Sequence, residues 1–362
     1  MDIDRIMIDE DHTIIEAMKQ LDSVATRVLF VRREGRLTAS LSDGDIRRWI
    51  LSNGDLNAPV SKAANYEPKY LYENQRQYAK EYMMKYGIEA VPIVYDDYRV
   101  HSVILRNKAD IIADAEKIHL PVVMMAGGLG TRLYPYTKIL PKPLIPVGDI
   151  PIAEHIINQF RKYGCKEFYL VVNHKKNMIK AYFNEIEKDY EIHYVDEEKQ
   201  LGTGGGLSLL KGKLHTTFLL SNCDILIHED FAKIFKLHKE SGNMVTMICS
   251  LKNFTVPYGV VEIGEDGSIA GMREKPELSF FTNTGCYIVE PEVIEMIPDG
   301  VPVGFPDIIM ECKKRGEKVG VYPIGEKSWS DMGQLDELEH MKQQMEMTDK
   351  NEGDWASDIM NN

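Results

Sequence analysis

From residue 121 onward, short apolar runs alternate with amphipathic stretches, and that alternation leaves few architectures open. The runs "PVVMMA" (121–126), "EFYLVVN" (167–173), "IHYVDE" (192–197) and "TTFLLSNCD" (216–224) read as strands. Between them "IPIAEHIINQFRKYG", "KNMIKAYFNEIEKD" and "GGGLSLLKG" carry helical spacing, with Pro151 suited to a first turn and Gly164 to an end. Strands that are apolar almost throughout need cover on both faces, so the pattern calls for an α/β fold. We expect a mostly parallel mixed sheet flanked by helices, Rossmann-like in its winding. Downstream, "YGVVEIGEDGSIAGMREKP" predicts a hairpin about Asp266-Gly267, and "TNTGCYIVEP" a further strand.

In an open α/β sheet, ligands sit beyond the carboxyl ends of the strands, and "AGGLGTRL" follows the first strand at such a place. Gly127, Gly128 and Gly130 remove side chains, so the backbone can approach a phosphate or a flat base. No Gly-Lys-Ser/Thr follows, which excludes a P-loop, and Leu133 stands where the dinucleotide fingerprint needs its third glycine.

The residues after the glycines are more specific. Arg132, Pro135, Thr137, Pro141, Lys142, Pro143 and Leu144 complete a string that resembles the nucleotidyltransferases that make nucleotide sugars, GGxGTRLxPxTxxxPKPLxPV. "EKQLGTGGGL", "LLSNCD", "PYGVVE", "REKPE", "NTGCYIV" and "WSDMG" then follow in that family's order, over about residues 120 to 346. The resemblance implies that the phosphate of a sugar 1-phosphate attacks the α-phosphorus of a nucleoside triphosphate and expels pyrophosphate, with Mg2+. Since the nucleophile arrives anionic, such a reaction needs alignment and charge neutralisation more than an activated side chain.

The same resemblance assigns roles. Arg132 and Lys142 would meet the phosphates. Ala126, Gly127, Gly128, Gly130 and Thr131, with Gln200, Gly202 and Thr203, would hold the nucleotide, Gln200 reading the base edge. Asn173, Gly259, Glu274, Lys275, Asn283 and Gly285 would hold the sugar phosphate. Asp224 and Asp331 would ligate the metal, although Asp331 also stands where an aspartate could cap a helix starting in "GQLDELEHM". The architecture leans toward GTP and a product for surface polysaccharide or glycoconjugate synthesis. Cytidylyl transfer to phosphocholine or a similar alcohol phosphate stays open, as does an inactive adenine-nucleotide sensor.

Residues 1–115 read as a doubled unit. "ATRVLFVRREGRLTASLSDGDIRRWIL" (25–51) gives strand, Glu34-Gly35 turn, strand and helix, and "YAKEYMMKYGIEAVPIVYDDYRVHSVILRNKADII" (78–112) repeats the theme after a helix ending at Gly87. This resembles a tandem CBS pair, a regulatory α+β module that often binds adenine nucleotides. Ser42 and Asp45 match its Ser/Thr-x-x-Asp, whereas "ILRNKADI" offers no equivalent hydroxyl. "NKADIIADAEKIHL" reads as a linker and 347–362 as a flexible acidic tail. A homo-oligomer, dimer or higher, is expected.

Composition bounds the partners. A net charge of -13 argues against nucleic-acid and anionic-membrane surfaces, which need basic patches. Cys165, Cys223, Cys249, Cys286 and Cys312 stand singly, without metal-ligand spacing. With no apolar stretch of spanning length and an acidic start, "MDIDRIMIDEDHTIIEAM", the expected location is the cytoplasm.

Overall fold

The computed structural model describes residues 3–24, 26–106 and 116–333. Among these, one compact unit comprises 3–24, 26–106, 249–283 and 323–327, and the other 116–248, 284–322 and 328–333. The linker stretch 107–115 and the tail 347–362 lie outside the described residues.

Within the second unit the sheet has seven strands in the spatial order 191–196, 167–172, 122–125, 218–222, 284–289, 245–248, 319–322. Val122–Met125 pairs in parallel with Glu167–Val172 on one side and Phe218–Asn222 on the other. Glu167–Val172 in turn pairs in parallel with Glu191–Asp196. Glu277–Val289 joins antiparallel, with Phe218 opposite Val289, so the sheet is mixed, as the alternation predicts.

Burial follows the two-residue period of a strand. Val123, Tyr169, Val171 and Leu220 face one core, shared with Leu207, Phe305 and Ile308. Val122, Met124, Phe168 and Leu170, the alternate residues, are also fully buried. Helix Ile152–Arg161 buries Ile152, Ala153, Ile156, Ile157 and Phe160, a single apolar stripe at helical spacing. Phe160 meets Phe231 edge to face at 4.9 Å between centroids. Phe231 opens helix Phe231–Ser241, which Asp230 caps and Gly242 ends at φ 61°. Pro151 takes the cap position of its helix, and Gly164, at φ 80°, closes the turn beyond Arg161. "GGGLSLLKG" is less regular than its apolar spacing predicts: Gly202–Gly205 is one α turn, and Gly206–Leu210 a 3-10 helix. A run of glycines pays a large backbone entropy in a helix, so the segment is held by packing rather than propensity.

In the first unit the repeat is visible in the strand pairing. Met7–Asp9 runs parallel to Val28–Arg33, which pairs antiparallel with Arg36–Ser42. Leu71–Tyr72 runs parallel to Ala90–Val94, which pairs antiparallel with Val100–Leu105. The first hairpin turns through Glu34 and Gly35, both at positive φ. Ile6, Phe30 and Leu37 of one half bury against Ala90 and Val94 of the other, so the halves share a core. The first half also covers Leu251 with Ile14, Leu29, Leu41 and Ile46. Polar bonds fix the later segments to the same unit. Arg47 Nε donates to the Pro323 carbonyl at 3.1 Å, and the Asp22 carboxylate accepts from the Glu326 N–H at 3.1 Å. The hairpin Val260–Ile263 with Ile269–Arg273 forms about Asp266-Gly267, with Gly267 at φ 81°.

Candidate active site

In the second unit, the parallel strands stop together: Val172 stands opposite Asp196, and Asn222 opposite Met125. The residues just beyond these ends, Gly127, Asn173, Glu197 and Asp224, therefore belong to one edge of the sheet, where the winding leaves a crevice. The glycine loop and the proline-lysine segment are packed as one piece. Gly130 is in the left-handed region at φ 66°, and a Cβ there would lie 2.8 Å from Thr137 Cγ2 and 3.1 Å from Lys142 Cβ. Thr137 Oγ1 donates to the Gly130 carbonyl at 2.8 Å. Lys175 Nζ donates to the carbonyls of Thr137, Lys138 and Ile139 at 2.7–2.9 Å, pinning the segment that presents Lys142.

Lys142 and Asp224 form an ion pair, with only 13% and 8% of their side chains exposed. Asp331 arrives from the neighbouring strand: Ile225–Ile227 pairs antiparallel with Trp329–Asp331, placing Ile225 opposite Asp331. The Met332 N–H donates to the Asp224 carbonyl at 2.7 Å, and the Gly333 N–H to Asp331 Oδ1 at 2.8 Å. All three charged groups surround Gly333. A methyl group there would collide with an Asp224 carboxylate oxygen and stand 2.8 Å from Asp331 Oδ1 and 3.2 Å from Lys142 Nζ. Two carboxylates converging beside a lysine form a hard-oxygen set, which suits Mg2+ only if phosphate oxygens complete its octahedron. Among the described residues no group of three or more His, Cys, Asp or Glu side chains could cage a metal. Burial pushes the Cys223 thiol, next to Asp224, up to about 12, so it stays protonated and is no nucleophile.

Arg132 lies exposed on the short helix Thr131–Leu133 that closes the glycine loop. Gln200 is exposed on the approach to the Gly202 turn. Gly202 has φ 76°, and a Cβ there would lie 2.8 Å from the Val303 carbonyl oxygen. Thr203 Oγ1 accepts from the Phe305 N–H at 3.1 Å, so its hydroxyl fastens the turn to helix Phe305–Lys314. Asn173 Nδ2 donates to the Glu197 carbonyl at 2.7 Å, tying two strand ends. Gly285, at φ 82°, lies against the Asn222 side chain so closely that a Cβ would clash with its amide.

Sequence comparison fits this geometry. The profile of the Nucleotidyl transferase family matches residues 121–348. The chain belongs to the nucleotidyl transferase family. Over 223 residues it is 33% identical to "Bifunctional protein GlmU" of Methanococcus maripaludis, covering 59% of this chain and 51% of that one. It is 35% identical over 204 residues to a Synechocystis UTP–glucose-1-phosphate uridylyltransferase, covering 50% of this chain and 52% of the relative. A Mycobacterium tuberculosis mannose-1-phosphate guanylyltransferase is 32% identical over 222 residues, 58% of this chain and 60% of that one. The chain thus spans a little over half the length of these relatives. The crystal structure of HddC from Yersinia pseudotuberculosis superimposes with a TM-score of 0.50 at 20% identity, over 62% of this chain and 99% of that one, a likeness of fold.

Within the second unit, Gly127, Gly130, Lys142, Asn173, Asp224 and Asp331 stand at or beside one edge of the sheet. The remaining sugar-phosphate candidates belong to the first unit. There a Cβ at Gly259 would lie 2.9 Å from Glu274 Oε2, Lys275 is exposed at φ 44°, and Asn283 is exposed on its strand. Also in the first unit, Ser42 and Asp45 build a capping box. Ser42 Oγ donates to Asp45 Oδ2 at 2.6 Å, and the Asp45 N–H donates to Ser42 Oγ at 3.2 Å. Sequence reading missed three residues. Glu197 and Lys175 follow strand ends, the position that marks Asn173 and Asp224, but each sits among like charges and reads as solvated. Gly333 closes "WSDMG", where the aspartate draws attention first.

Proposed function

We propose that this family member transfers a nucleoside monophosphate from a nucleoside triphosphate, GTP in our reading, to a sugar 1-phosphate. The products are an NDP-sugar and pyrophosphate, and the setting is surface polysaccharide or glycoconjugate synthesis. The observation that carries the reading is Lys142, Asp224 and Asp331 converging on Gly333. That the relatives include a guanylyltransferase and a uridylyltransferase of sugar 1-phosphates supports the acceptor class.

The chain's own groups divide the work. The glycine loop admits the base and phosphates, since no side chain at Gly127 or Gly128 stands in the way. Arg132, without an ion pair among the described residues, is available to fork onto the phosphates. Lys142 holds a compact positive charge near the α-phosphate, its backbone constrained by Pro141 and Pro143 and its loop pinned by Lys175. Asp224 and Asp331 would hold Mg2+, which, when bound, offsets charge on the phosphoryl oxygens. The sugar phosphate oxygen bonds to the α-phosphorus as the bond to the pyrophosphate leaving group breaks, so no base is needed. Acceptor carrying 18O in its phosphate should keep all of that label in the NDP-sugar, and label appearing in pyrophosphate would refute direct attack.

For the first unit we propose adenine-nucleotide binding at a CBS-like pair through Ser42 and Asp45. The capping box would then have to share its oxygens with the ligand. AMP should raise the melting temperature of the full chain, and Asp45→Asn should abolish the shift. An equal shift in both proteins rules the site out.

A further inference from the structure

The two candidate metal carboxylates stand on a ribbon too small to hold itself. Asp224 precedes Ile225–Ile227 and Asp331 ends Trp329–Asp331, and these three-residue strands form a two-stranded sheet of their own. Such a ribbon is marginal in water, and no hairpin turn joins strands this far apart in the chain. Neighbouring residues of an antiparallel strand turn their backbone groups to opposite sides. The Met332 N–H donates to the Asp224 carbonyl at 2.7 Å and the His228 N–H to the Ser328 carbonyl at 2.8 Å, so Asp224 and His228 face the ribbon partner. Ile227 therefore turns its N–H and carbonyl to the open edge, and Ile227 is buried. Left unpaired there, both groups would be buried polar backbone without partners, which is strongly unfavourable.

Gln159 meets both. Its Oε1 accepts from the Ile227 N–H at 3.4 Å, and its Nε2 donates to the Ile227 carbonyl, so the side-chain amide stands in for a third strand. Two residues along the same edge, Tyr163 Oη donates to the Glu229 carbonyl at 2.8 Å. Gln159 lies on helix Ile152–Arg161 and Tyr163 in the turn after it. Four residues of helix advance about 6 Å and two residues of strand about 6.8 Å, so the spacing of the two side chains matches the edge they bind. The start of this helix is tied to the proline-lysine segment, because the Ile152 N–H donates to the Ile145 carbonyl at 3.0 Å. One helix thus frames both the segment of Lys142 and the strand that follows Asp224. We infer that Gln159 and Tyr163 are positioning residues for the reaction, fixing through backbone the strand that places Asp224 beside Asp331. This rests on the metal role proposed above for the two aspartates.

The test compares the full chain as wild type with Gln159→Leu, Gln159→Glu and Tyr163→Phe. Leucine removes both bonds to Ile227, glutamate keeps the acceptor but sets a second oxygen against the Ile227 carbonyl, and phenylalanine deletes one hydroxyl. Mn2+ binding is read by electron paramagnetic resonance without nucleotide, and the binding lost in Asp224→Asn identifies the site. Affinity there should fall about ten- to a hundredfold in both Gln159 variants, the usual effect of removing a group that orients a metal ligand. In Tyr163→Phe it should fall about threefold, as loss of one hydrogen bond implies. The magnesium concentration that gives half the maximal rate of pyrophosphate release should rise by similar factors. Ile156→Val, a truncation in the buried stripe of the same helix, should lower the melting temperature and leave Mn2+ affinity unchanged. Wild-type Mn2+ affinity in either Gln159 variant overturns the inference, as does an equal loss in Ile156→Val or Mn2+ binding that survives Asp224→Asn. If the Gln159 variants do not fold, Tyr163→Phe decides alone: unchanged affinity overturns the inference and a loss upholds it. Weakened Mn2+ binding in the variants, with no pyrophosphate release by the wild type from any substrate pair, would uphold the positioning role while removing the transfer reading, so the two failures are distinguishable.

Discussion

Asp224→Asn is expected to lower kcat by about a hundred- to a thousandfold while leaving the fold intact. The carboxylate is buried and is paired with Lys142. Asparagine fills the same space and can still accept a hydrogen bond, so packing against Cys223 and Ile225 should survive. The change removes the negative charge that would attract a hard cation, and it leaves Lys142 without its partner in a half-closed site. Raising magnesium should restore part of the rate, since a weakened ligand set lowers affinity before it abolishes binding. A variant with wild-type kcat at ordinary magnesium would show that Asp224 only holds Lys142. Circular dichroism and the melting temperature separate lost chemistry from lost structure.

The second large effect is expected from the smallest substitution. Gly333→Ala adds one methyl group where a Cβ would collide with the Asp224 carboxylate and crowd Asp331 Oδ1 at 2.8 Å and Lys142 Nζ at 3.2 Å. At least one of the three must move. Because misplacing reacting groups by about 1 Å can slow an enzyme about a hundredfold, the expected loss in kcat is of that order. The crowded atoms are polar and lie at the edge of the crevice, so the hydrophobic core is untouched and the melting temperature should change little. A variant turning over within twofold of the wild type would contradict the convergence of these groups on Gly333.

Much of the second unit was legible because buried parallel strands are apolar at nearly every position and the helices between them carry a stripe. Val122–Met125, Glu167–Val172, Glu191–Asp196 and Phe218–Asn222 fall where the sequence puts strands. The glycine loop, Lys142 and Asp224 were legible for a different reason: residue order carried them, since no local pattern links Lys142 to a partner 82 residues away. What stayed hidden depends on burial that only the tertiary fold creates. Glu197 belongs to "VDEEKQ", where adjacent charges suggest a solvated face, yet the strand pairing and the Leu201 N–H draw this one inside. Ser42 and Asp45 carry the reverse lesson. Their spacing fits a ligand motif and a capping box equally, and in the structure they form the box. The membership of unit 1 was also beyond local reading, because Leu251 enters a core made of residues some two hundred positions earlier.

We propose that a sugar 1-phosphate accepts a nucleotidyl group at this strand-end site. Pyrophosphate release by the full chain, with magnesium, measured for each of the four common NTPs against a panel of sugar 1-phosphates, phosphocholine and no acceptor, tests it most directly. Release should require a sugar 1-phosphate and be fastest with GTP. Release that needs no acceptor, or that occurs only with CTP and phosphocholine, or none with any pair, would contradict it.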